Sequence, residues 1–413
     1  MGYNGDIMDS VISGLGSITV FCALYFEVFL LISLFEKKEK EVVDKEYCPP
    51  VSVVVPVFNE ERTIESTLES LLSLDYDKDS LTIIIVNDGS TDNTGEVIKR
   101  YESNPQIKII NKQNGGKYTA LNEGISVAET EFIGCLDADS FVERHALRRI
   151  MSRFADPKVM AVTPSMVINK PNNVIRHMQK AEYDYGNLIR KALAIMGAIH
   201  ITPGPFSFFR KEVFSKIGTY KHAHNTEDME MAMRMQRNRM RIAHAPDALV
   251  YTVGPSNVGK LYKQRVRWVS GFISNLIDYK DMLFSKQYGD LGLLVLPFSV
   301  FGIFMTMVFI AISIYHGSKD LFDAMVQYSV TGLSSPQIHL DWFYFNTSVL
   351  SLLSIMFLCV IIALSMYGDR STSGKWRFSL SILYFVFLYS FISPFWLLRS
   401  VYNNLMSKET TWR

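Results

Sequence analysis

The run VISGLGSITVFCALYFEVFLLISLF, residues 11–35, constrains this chain more than any other feature. Its one charged residue is Glu27. A bilayer core is crossed by about 20 apolar residues in a helix. Backbone groups in that core must pair within the segment, so a helix is the form expected here. A cleavable signal peptide fits less well. The run exceeds a usual apolar leader, no basic stretch precedes it and no small-residue cleavage site follows. Glu27 is expected to face other helices or a polar cavity, or to be protonated, rather than meet lipid. Three further spans are predicted, at 291–316, 342–366 and 377–398, which together make a C-terminal membrane region over 291–398.

Basic residues set the expected orientation. EKKEKEVVDK follows the first span and carries Lys37, Lys38, Lys40 and Lys45. Lysine and arginine flank spans on the cytoplasmic side, and the accompanying glutamates weigh little in that bias. The basic-poor loop 317–341 is then outside. The loop 367–377, with Arg370, Lys375 and Arg377, is inside. Four spans place the tail after Arg399 outside, against the mild pull of its Lys408 and Arg413. Pro394 is expected to break or kink the last span. The whole reads as a multi-pass protein of the plasma membrane, with its middle block, about 48–270, in the cytoplasm.

The 413-residue length allows a sizeable core and more than one domain. A formal net charge of +1 gives no reason to expect a nucleic-acid partner. Cys22, Cys48, Cys135 and Cys359 are scattered without metal-type or disulfide-framework spacing; two lie in apolar runs and are expected to be buried free thiols. The eight histidines form no HExxH pattern, and His222 and His224 are expected to be ordinary loop residues.

The middle block alternates apolar strands with helix-like segments. VSVVVPVF (51–58), LTIIIVNDGS (81–90), QIKII (106–110) and EFIGCLDAD (131–139) read as strands. NEERTIESTLESLLSL (59–74) has apolar residues at helical spacing and acids in its first turn, where a helix dipole favours them. TDNTGEVIKRY (91–101) starts another helix, with Thr91 or Asp92 as candidate caps, and KYTALNEGISVA (117–128) a third. Repeated β-α units imply an α/β fold with a mainly parallel, Rossmann-like sheet covered on both faces. Ligands of such sheets bind outside the carboxyl ends of the strands.

Those ends are all polar or glycine-rich: Phe58-Asn59-Glu60, Asn87-Asp88-Gly89-Ser90, Gly115-Gly116-Lys117 and Asp137-Ala138-Asp139. Each alone is an ordinary turn, and a lone DxD is usually a solvated one. Four at successive strand ends point together to a nucleotide site. A divalent cation would offset the repulsion between Asp137 and Asp139 and bridge them to a diphosphate. Mg2+ binds through one or two carboxylates plus phosphates and water, and Mn2+ accepts similar ligands. The chain has no GxxxxGK[ST] loop and no GxGxxG after its first strand, so neither that type of ATP hydrolysis nor a dinucleotide cofactor is indicated.

With these stretches the chain resembles the inverting family-2 glycosyltransferases of GT-A fold. The likeness is to their membrane-integrated, processive branch, which includes synthases of poly-N-acetylglucosamine, hyaluronan, chitin and cellulose. The resemblance is carried by VVPVFNE (54–60), VNDGSTDNT (86–94), GGKYTALNEGI (115–125), CLDAD (135–139), NTEDMEMAMRM (225–235) and QRVRW (264–268), in that order. It implies that Val57 and Glu60 contact the nucleoside and Asp88 the uracil or ribose. Lys117 would lie near the nucleotide, Asp139 would coordinate the metal, and Asp137 would support the nucleotide-sugar site. Asp228 would be the general base. Of the Q-x-x-R-W signature, formed by Gln264, Arg265, Arg267 and Trp268, arginine would lie near the pyrophosphate and tryptophan near the acceptor sugar. Asn87 stands where many members have aspartate. HITPGPFSFFRK (200–211) matches the acceptor-contacting segment more loosely, with Pro203-Gly204-Pro205 at its centre.

The chemistry calls for the same residue types. Inverting transfer is one in-line displacement at the anomeric carbon with a nucleoside diphosphate leaving. Metal and arginine stabilise the charge on that leaving group, and a carboxylate takes the proton of the acceptor hydroxyl. Glu227 and Asp228 also suit the first turn of a helix, and only the resemblance selects Asp228 between them. GFISNLIDYKDMLFSK (271–286) is too short and charged to span and is expected to be a helix lying in the interface. The expectation is a transfer from a UDP-sugar, UDP-N-acetylglucosamine in the first instance, to a growing polysaccharide, with Mg2+ or Mn2+ as cofactor. Processive synthesis with export through its own helices, and contact with membrane lipid, follow from the resemblance. The alternatives are single addition to a lipid-linked acceptor, or a membrane-tethered nucleotide-sugar sensor without catalysis.

Overall fold

The computed structural model describes residues 2–35, 43–331, 348–374, 376 and 378–406. Lys37, Lys38, Lys40, Lys375, Arg377, Lys408 and Arg413, which bear on the expected orientation, lie outside them, as do 342–347 of the third expected span.

Helix α1 (Gly2–Phe35) is followed by β1 (Val51–Val57), α2 (Ile64–Leu72), β2 (Leu81–Asp88), α3 (Thr94–Lys99), β3 (Ile107–Lys112), α4 (Lys117–Val127) and β4 (Phe132–Cys135). The pairs β1–β2, β2–β3 and β1–β4 are all parallel. Near-continuous Val and Ile runs buried on both faces are the usual signature of such a sheet. On α2, Ile64, Thr67, Leu68 and Leu71 are buried at helical spacing against it. A Cβ on Gly124 would come within 2.3 Å of Val54 Cγ1, so α4 lies on β1 more closely than any larger residue would permit.

Helices α2 and α3 begin later than the sequence pattern suggests, whereas α4 starts at the expected Lys117. Asn59 takes a left-handed conformation, φ 56°, so residues 59–63 turn before α2 starts. The cap of α3 is Asn93, not Thr91 or Asp92, although Asp92 Oδ1 accepts from Thr94 N at 3.0 Å.

The second half of the sheet comprises β5 (Ser140–Val142), β6 (Val159–Ile168), β7 (Phe208–Arg210) and β8 (Arg241–Thr252). The helices between them are α5 (Ala146–Met151), α6 (Val174–Ile195), α7 (Lys211–Ile217) and α8 (Glu227–Arg237). Eight strands run in the order β3-β2-β1-β4-β7-β6-β8-β5. The short β7 is antiparallel to both neighbours, while β6 and β8 are parallel. The sheet is therefore regular on the β1–β4 side and mixed beyond it.

Helix α9 (Val258–Asp278) then carries QRVRW and runs on through residues 271–278. The expected separate helix at 271–286 is not seen: its first half continues α9, and short 3-10 turns at Lys280–Met282 and Lys286–Tyr288 take up the rest. Asn257 caps α9 by accepting from Lys260 N, and nothing in the sequence after Val258 stops the helix before Asp278.

The remaining helices are α10 (Leu296–Thr331), α11 (Val349–Ser373), α12 (Leu380–Leu383) and α13 (Ser390–Leu405). Among the described residues four helical stretches are long and apolar enough to cross a membrane: Ser10–Ile32, Leu291–Val330, Val349–Ser373 and Leu380–Leu405. Leu291–Val330 extends well past the expected end at 316. Pro394 lies inside α13 without ending it. Glu27 is buried. All four cysteines are free; Cys135 is buried, but Cys22 is only half-buried and Cys359 exposed in the chain by itself.

The chain divides into two compact units, residues 1–29 with 297–363 and residues 30–296 with 364–413. The sheet, α6, α8, α9 and α13 all belong to the second.

Candidate active site

Two loops at the sheet's carboxyl edge are tied to each other by side chains. Asn59 Oδ1 accepts from Thr91 N at 2.8 Å, and Asn59 N donates to Ser90 Oγ at 3.1 Å. Glu60 N donates to Thr94 Oγ1 at 2.9 Å. The β1–α2 and β2–α3 turns thus form one rim. Asn87, in the position where aspartate was the alternative, donates to Asn111 Oδ1 and accepts from Ser90 N, bracing the rim from below.

Asp88 organises the next loop. Its Oδ1 accepts from Lys112 Nζ at 2.6 Å and Gly115 N at 3.0 Å, and its Oδ2 from Gly116 N at 2.9 Å. Gly116 has φ +90°, which a side chain would strain. The turn delivers Lys117 as the first residue of α4. Its ammonium sits 2.6 Å from Asp137 Oδ1 and 3.3 Å from Glu227 Oε1. Burial alone would lower the Lys117 pKa; the Asp137 and Glu227 carboxylates more than offset this and hold it above the ordinary lysine value.

Asp139 lies beyond Asp137, past the end of β4. Burial, with the Asp137 and Glu60 carboxylates adding to it, pushes its carboxyl up to about 6 despite Lys117 nearby. Among the described residues no lysine, arginine or histidine lies within 4 Å of it. Nor do the described residues contain a group of three His, Cys, Asp or Glu side chains able to hold a metal by themselves. A half-buried carboxylate at a cavity wall, with the Asp137 and Glu60 carboxylates near it, suits a cation whose other ligands come from substrate phosphates and water.

Facing these strand ends, α8 begins with Glu227 and Asp228. Glu227 is the partner of Lys117. Asp228 has no basic side chain within 4 Å among the described residues; its Oδ1 accepts from its neighbour Met229 N at 2.9 Å, and Thr202 Oγ1 donates to its backbone carbonyl at 2.8 Å. Burial and the adjacent Glu227 carboxylate raise its pKa to about 6, against the opposing effect of Lys117. The structure thus separates two acids that the sequence presents as neighbours: one is engaged in an ion pair, the other is available to take a proton.

Gly204 closes this side. A Cβ there would stand 2.9 Å from Lys117 Nζ and 3.3 Å from the Asp137 carboxylate, so the Pro203-Gly204-Pro205 turn rests on the ion pair itself. Phe206 follows with φ 63° and is fully buried. Such strain persists where packing over-determines it.

Glu60, Asp88, Lys117, Asp137, Asp139, Gly204, Glu227 and Asp228 border one cavity of about 1240 Å3. Of the sequence-predicted site residues, Val57, Glu60, Asp88, Lys117, Asp137, Asp139, Asp228, Gln264, Arg267 and Trp268 line it. Arg265 does not. It is 2% exposed, its Nη2 lies 2.5 Å from Glu182 Oε2, and its guanidinium sits over the Trp268 ring at 4.3 Å. Helical geometry explains the split: positions 264, 267 and 268 share a face at i, i+3 and i+4, and 265 is rotated off it. Arg265 therefore supports the wall, and Arg267 is the signature arginine that reaches the cavity.

The sequence reading missed the part of the wall made by α6. Glu182, Tyr183, Gly186 and Arg190 all line the cavity, as does His200 beyond the helix. Burial lowers the Arg190 pKa to about 10 and lowers that of His200. A cavity cation on a long helix has no local motif, and only the fold brings it to the strand ends. His222 also lines the cavity, edge-on to Tyr118, while His224 pairs with Asp278 at 3.0 Å.

Residues 52–218 match Glycosyl transferase family 2. The poly-beta-1,6-N-acetyl-D-glucosamine synthase of Staphylococcus epidermidis (strain ATCC 35984) is 34% identical over 242 residues, 58% of this chain and 57% of that protein. The synthase of the same description from Staphylococcus aureus (strain COL) is 33% identical over 268 residues, 64% of each chain. The alignments thus span 57% and 64% of the length of these curated relatives. A mannosyltransferase from Pyrobaculum calidifontis, solved in complex with GDP-Man and Mn2+, has the same fold, with a TM-score of 0.67 and 20% identity over 96% of this chain and 98% of that one. Motif order, strand-end site and matched profile agree: the chain carries a glycosyl transferase family 2 domain on a GT-A-like sheet, accompanied by apolar helices on both sides in sequence.

Proposed function

We propose that the protein is an inverting glycosyltransferase that transfers a sugar from a nucleoside diphosphate donor to a growing polysaccharide. The observation that carries this is the pairing of Lys117 with Asp137 and Glu227, which leaves Asp139 and Asp228, in the same cavity, as carboxylates with no basic side chain within 4 Å among the described residues. UDP-N-acetylglucosamine is the donor best supported, because the relatives that match over most of the middle block are described as poly-beta-1,6-N-acetyl-D-glucosamine synthases.

In this reading the rim of Val57, Glu60 and the Asp88-braced loop receives the nucleoside. Asp139 would hold a divalent cation, Mg2+ or Mn2+, which when bound supplies positive charge to the departing diphosphate. The solved mannosyltransferase of like fold holds Mn2+ with its GDP-sugar, in keeping with that role. Lys117 holds Asp137 and Glu227 in place and adds positive charge beside the diphosphate. Asp228 removes the proton from the acceptor hydroxyl as the bond to the anomeric carbon forms. Arg267 and Trp268 present a cation and an aromatic face on the opposite side, where Gln264 Oε1 is buried without a hydrogen-bond partner among the described residues. Processive synthesis with export is the reading that the resemblance to the processive branch implies, and the Q-x-x-R-W stretch on α9 is the part of that resemblance that supports processivity. A cytoplasmic catalytic domain in the plasma membrane is the matching topology.

The test is UDP release by the purified full-length protein with a panel of UDP-sugars and Mg2+ or Mn2+, alongside Asp228→Asn. Release from one UDP-sugar that is abolished by Asp228→Asn supports the reading; equal release by wild type and Asp228→Asn sinks it. Product length by mass spectrometry separates processive from single addition, since a product one sugar longer than the acceptor excludes processivity.

A further inference from the structure

Helix α6 presents a stripe to the cavity that none of the motifs includes. Tyr183, Gly186, Arg190 and Leu193 lie at i, i+3, i+7 and i+10, and all four line the cavity. That spacing keeps them on one face, and the seven steps from Tyr183 to Arg190 span about 10 Å along the axis. The helix is fixed against the sheet by Asn187, whose amide brackets the backbone of Met166 on β6: Nδ2 donates to Met166 O at 2.8 Å and Oδ1 accepts from Met166 N at 3.1 Å. The same Oδ1 accepts from Arg190 Nη1 at 3.2 Å, which orients the guanidinium. Between the two polar residues, a Cβ on Gly186 would meet nothing within 4 Å, so the wall is open there.

The stripe shares the cavity with both carboxylates. Tyr183 is within electrostatic reach of Asp139, and Arg190 of Asp228. It therefore borders the space between the expected diphosphate and the base. Arg190 has no carboxylate within 4 Å among the described residues, in contrast to Lys117 and Arg265, which are engaged by Asp137, Glu227 and Glu182. What lies between a diphosphate and a general base during transfer is the donor sugar and the attacking hydroxyl. An aromatic ring, a gap and an oriented planar donor are a suitable lining for a saccharide: the ring offers an apolar face, and guanidinium N–H groups donate to hydroxyl and carbonyl oxygens.

We propose that this face of α6 is a saccharide subsite, with Arg190 a specificity-determining residue that donates hydrogen bonds to the acceptor sugar beside Asp228. The inference rests on the glycosyltransferase reading above and adds to it the residue that recognises the acceptor.

The experiment uses the full-length protein in lipid nanodiscs with UDP-N-acetylglucosamine, Mn2+ and a β-1,6-linked N-acetylglucosamine pentamer as acceptor. Donor and acceptor KM are measured separately for wild type, Arg190→Met and Arg190→Lys. Loss of charged hydrogen bonds to the acceptor should raise the acceptor KM of Arg190→Met about tenfold or more, with donor KM unchanged within about twofold. Arg190→Lys should lie between the two. An acceptor KM unaltered in both variants overturns the proposal, and so does a donor KM that rises as much as the acceptor KM, which would make Arg190 a diphosphate contact. If Arg190→Met does not fold, judged by loss of a cooperative thermal unfolding transition without ligand, Arg190→Lys decides by the same criteria. The Asp228→Asn control separates the two levels. Wild-type UDP release that survives Asp228→Asn defeats the transferase reading, whereas release that depends on Asp228 with an unaltered acceptor KM in the Arg190 variants defeats only the subsite.

Discussion

The strand-end wall of the cavity and the α6–α9 wall hold their charged groups in different ways. On the strand-end side, positioning is local: Asn59, Asp88 and Asp92 bond to backbone groups of adjoining loops, and Gly116 supplies a turn that few other residues could make. On the helical side it is tertiary: Glu182 of α6, at the cavity wall, meets Arg265 of α9 across 83 positions of sequence, and Arg265 is sequestered from water. A wall of the first kind bends under a glycine or cap change. A wall of the second kind should fail as a unit when one charge is removed.

The largest effects expected from this comparison are at the two helices. Asp228→Asn should lower the transfer rate by about 10²–10⁴-fold, the usual contribution of a positioned general base. Donor binding, followed by UDP-induced thermal stabilisation, should stay at the wild-type level. Glu182→Gln leaves Arg265 buried without its counter-charge, a change that typically costs about 3–5 kcal/mol. A large fall in thermal stability should accompany it, and an unchanged melting temperature would show that the helical wall is not held by this pair. Gly116→Ala is expected to be milder, about 1–3 kcal/mol for a backbone conformation that is essentially glycine-only, and should raise donor KM more than acceptor KM.

The pH profile sharpens the comparison with the smallest perturbation. Asp228 must be ionised to act as base, and its carboxyl is raised to about 6. Activity should therefore be level above that pH and fall as pH drops through it. At the low end of the scale, Lys216→Ala removes an exposed pair with Glu212 and should leave the melting temperature at the wild-type value.

The contrast also explains what can be read from residues alone. Near-continuous Val and Ile runs, glycine at positions of special backbone conformation and acids at successive strand ends each have a short-range cause, so β1 to β4 and the residues at their ends are legible. Which of Glu227 and Asp228 is available as a base depends on where Lys117 arrives from, and that is set by α4, over 100 positions earlier. The assignment of Arg265 to the wall rather than the cavity depends on Glu182, on a helix for which the sequence pattern supplies no element. Arg190 escapes for the same reason: a polar residue on a helix face looks alike whether the face meets water or a cavity. The run 271–278 stands apart by its composition, but a helix that has begun at Asn257 continues until its backbone is interrupted.

Helix α13 is bonded to α9 at the turn next to Trp268. Ser400 Oγ donates to Val266 O at 3.2 Å, Asn404 Nδ2 to Ser270 O at 3.2 Å, and Ser274 Oγ to Asn404 Oδ1 at 2.7 Å. These bonds grip the backbone on either side of Arg267 and Trp268, so the apolar helix and the cavity wall form a stiff joint. A lever is implied: tilting α13 would move Arg267 and Trp268 directly, with no flexible loop to absorb the motion. Displacements of about 1 Å at reacting groups can alter rates a hundredfold. The turnover of such an enzyme would then respond to the thickness and tension of the surrounding bilayer as well as to its substrates.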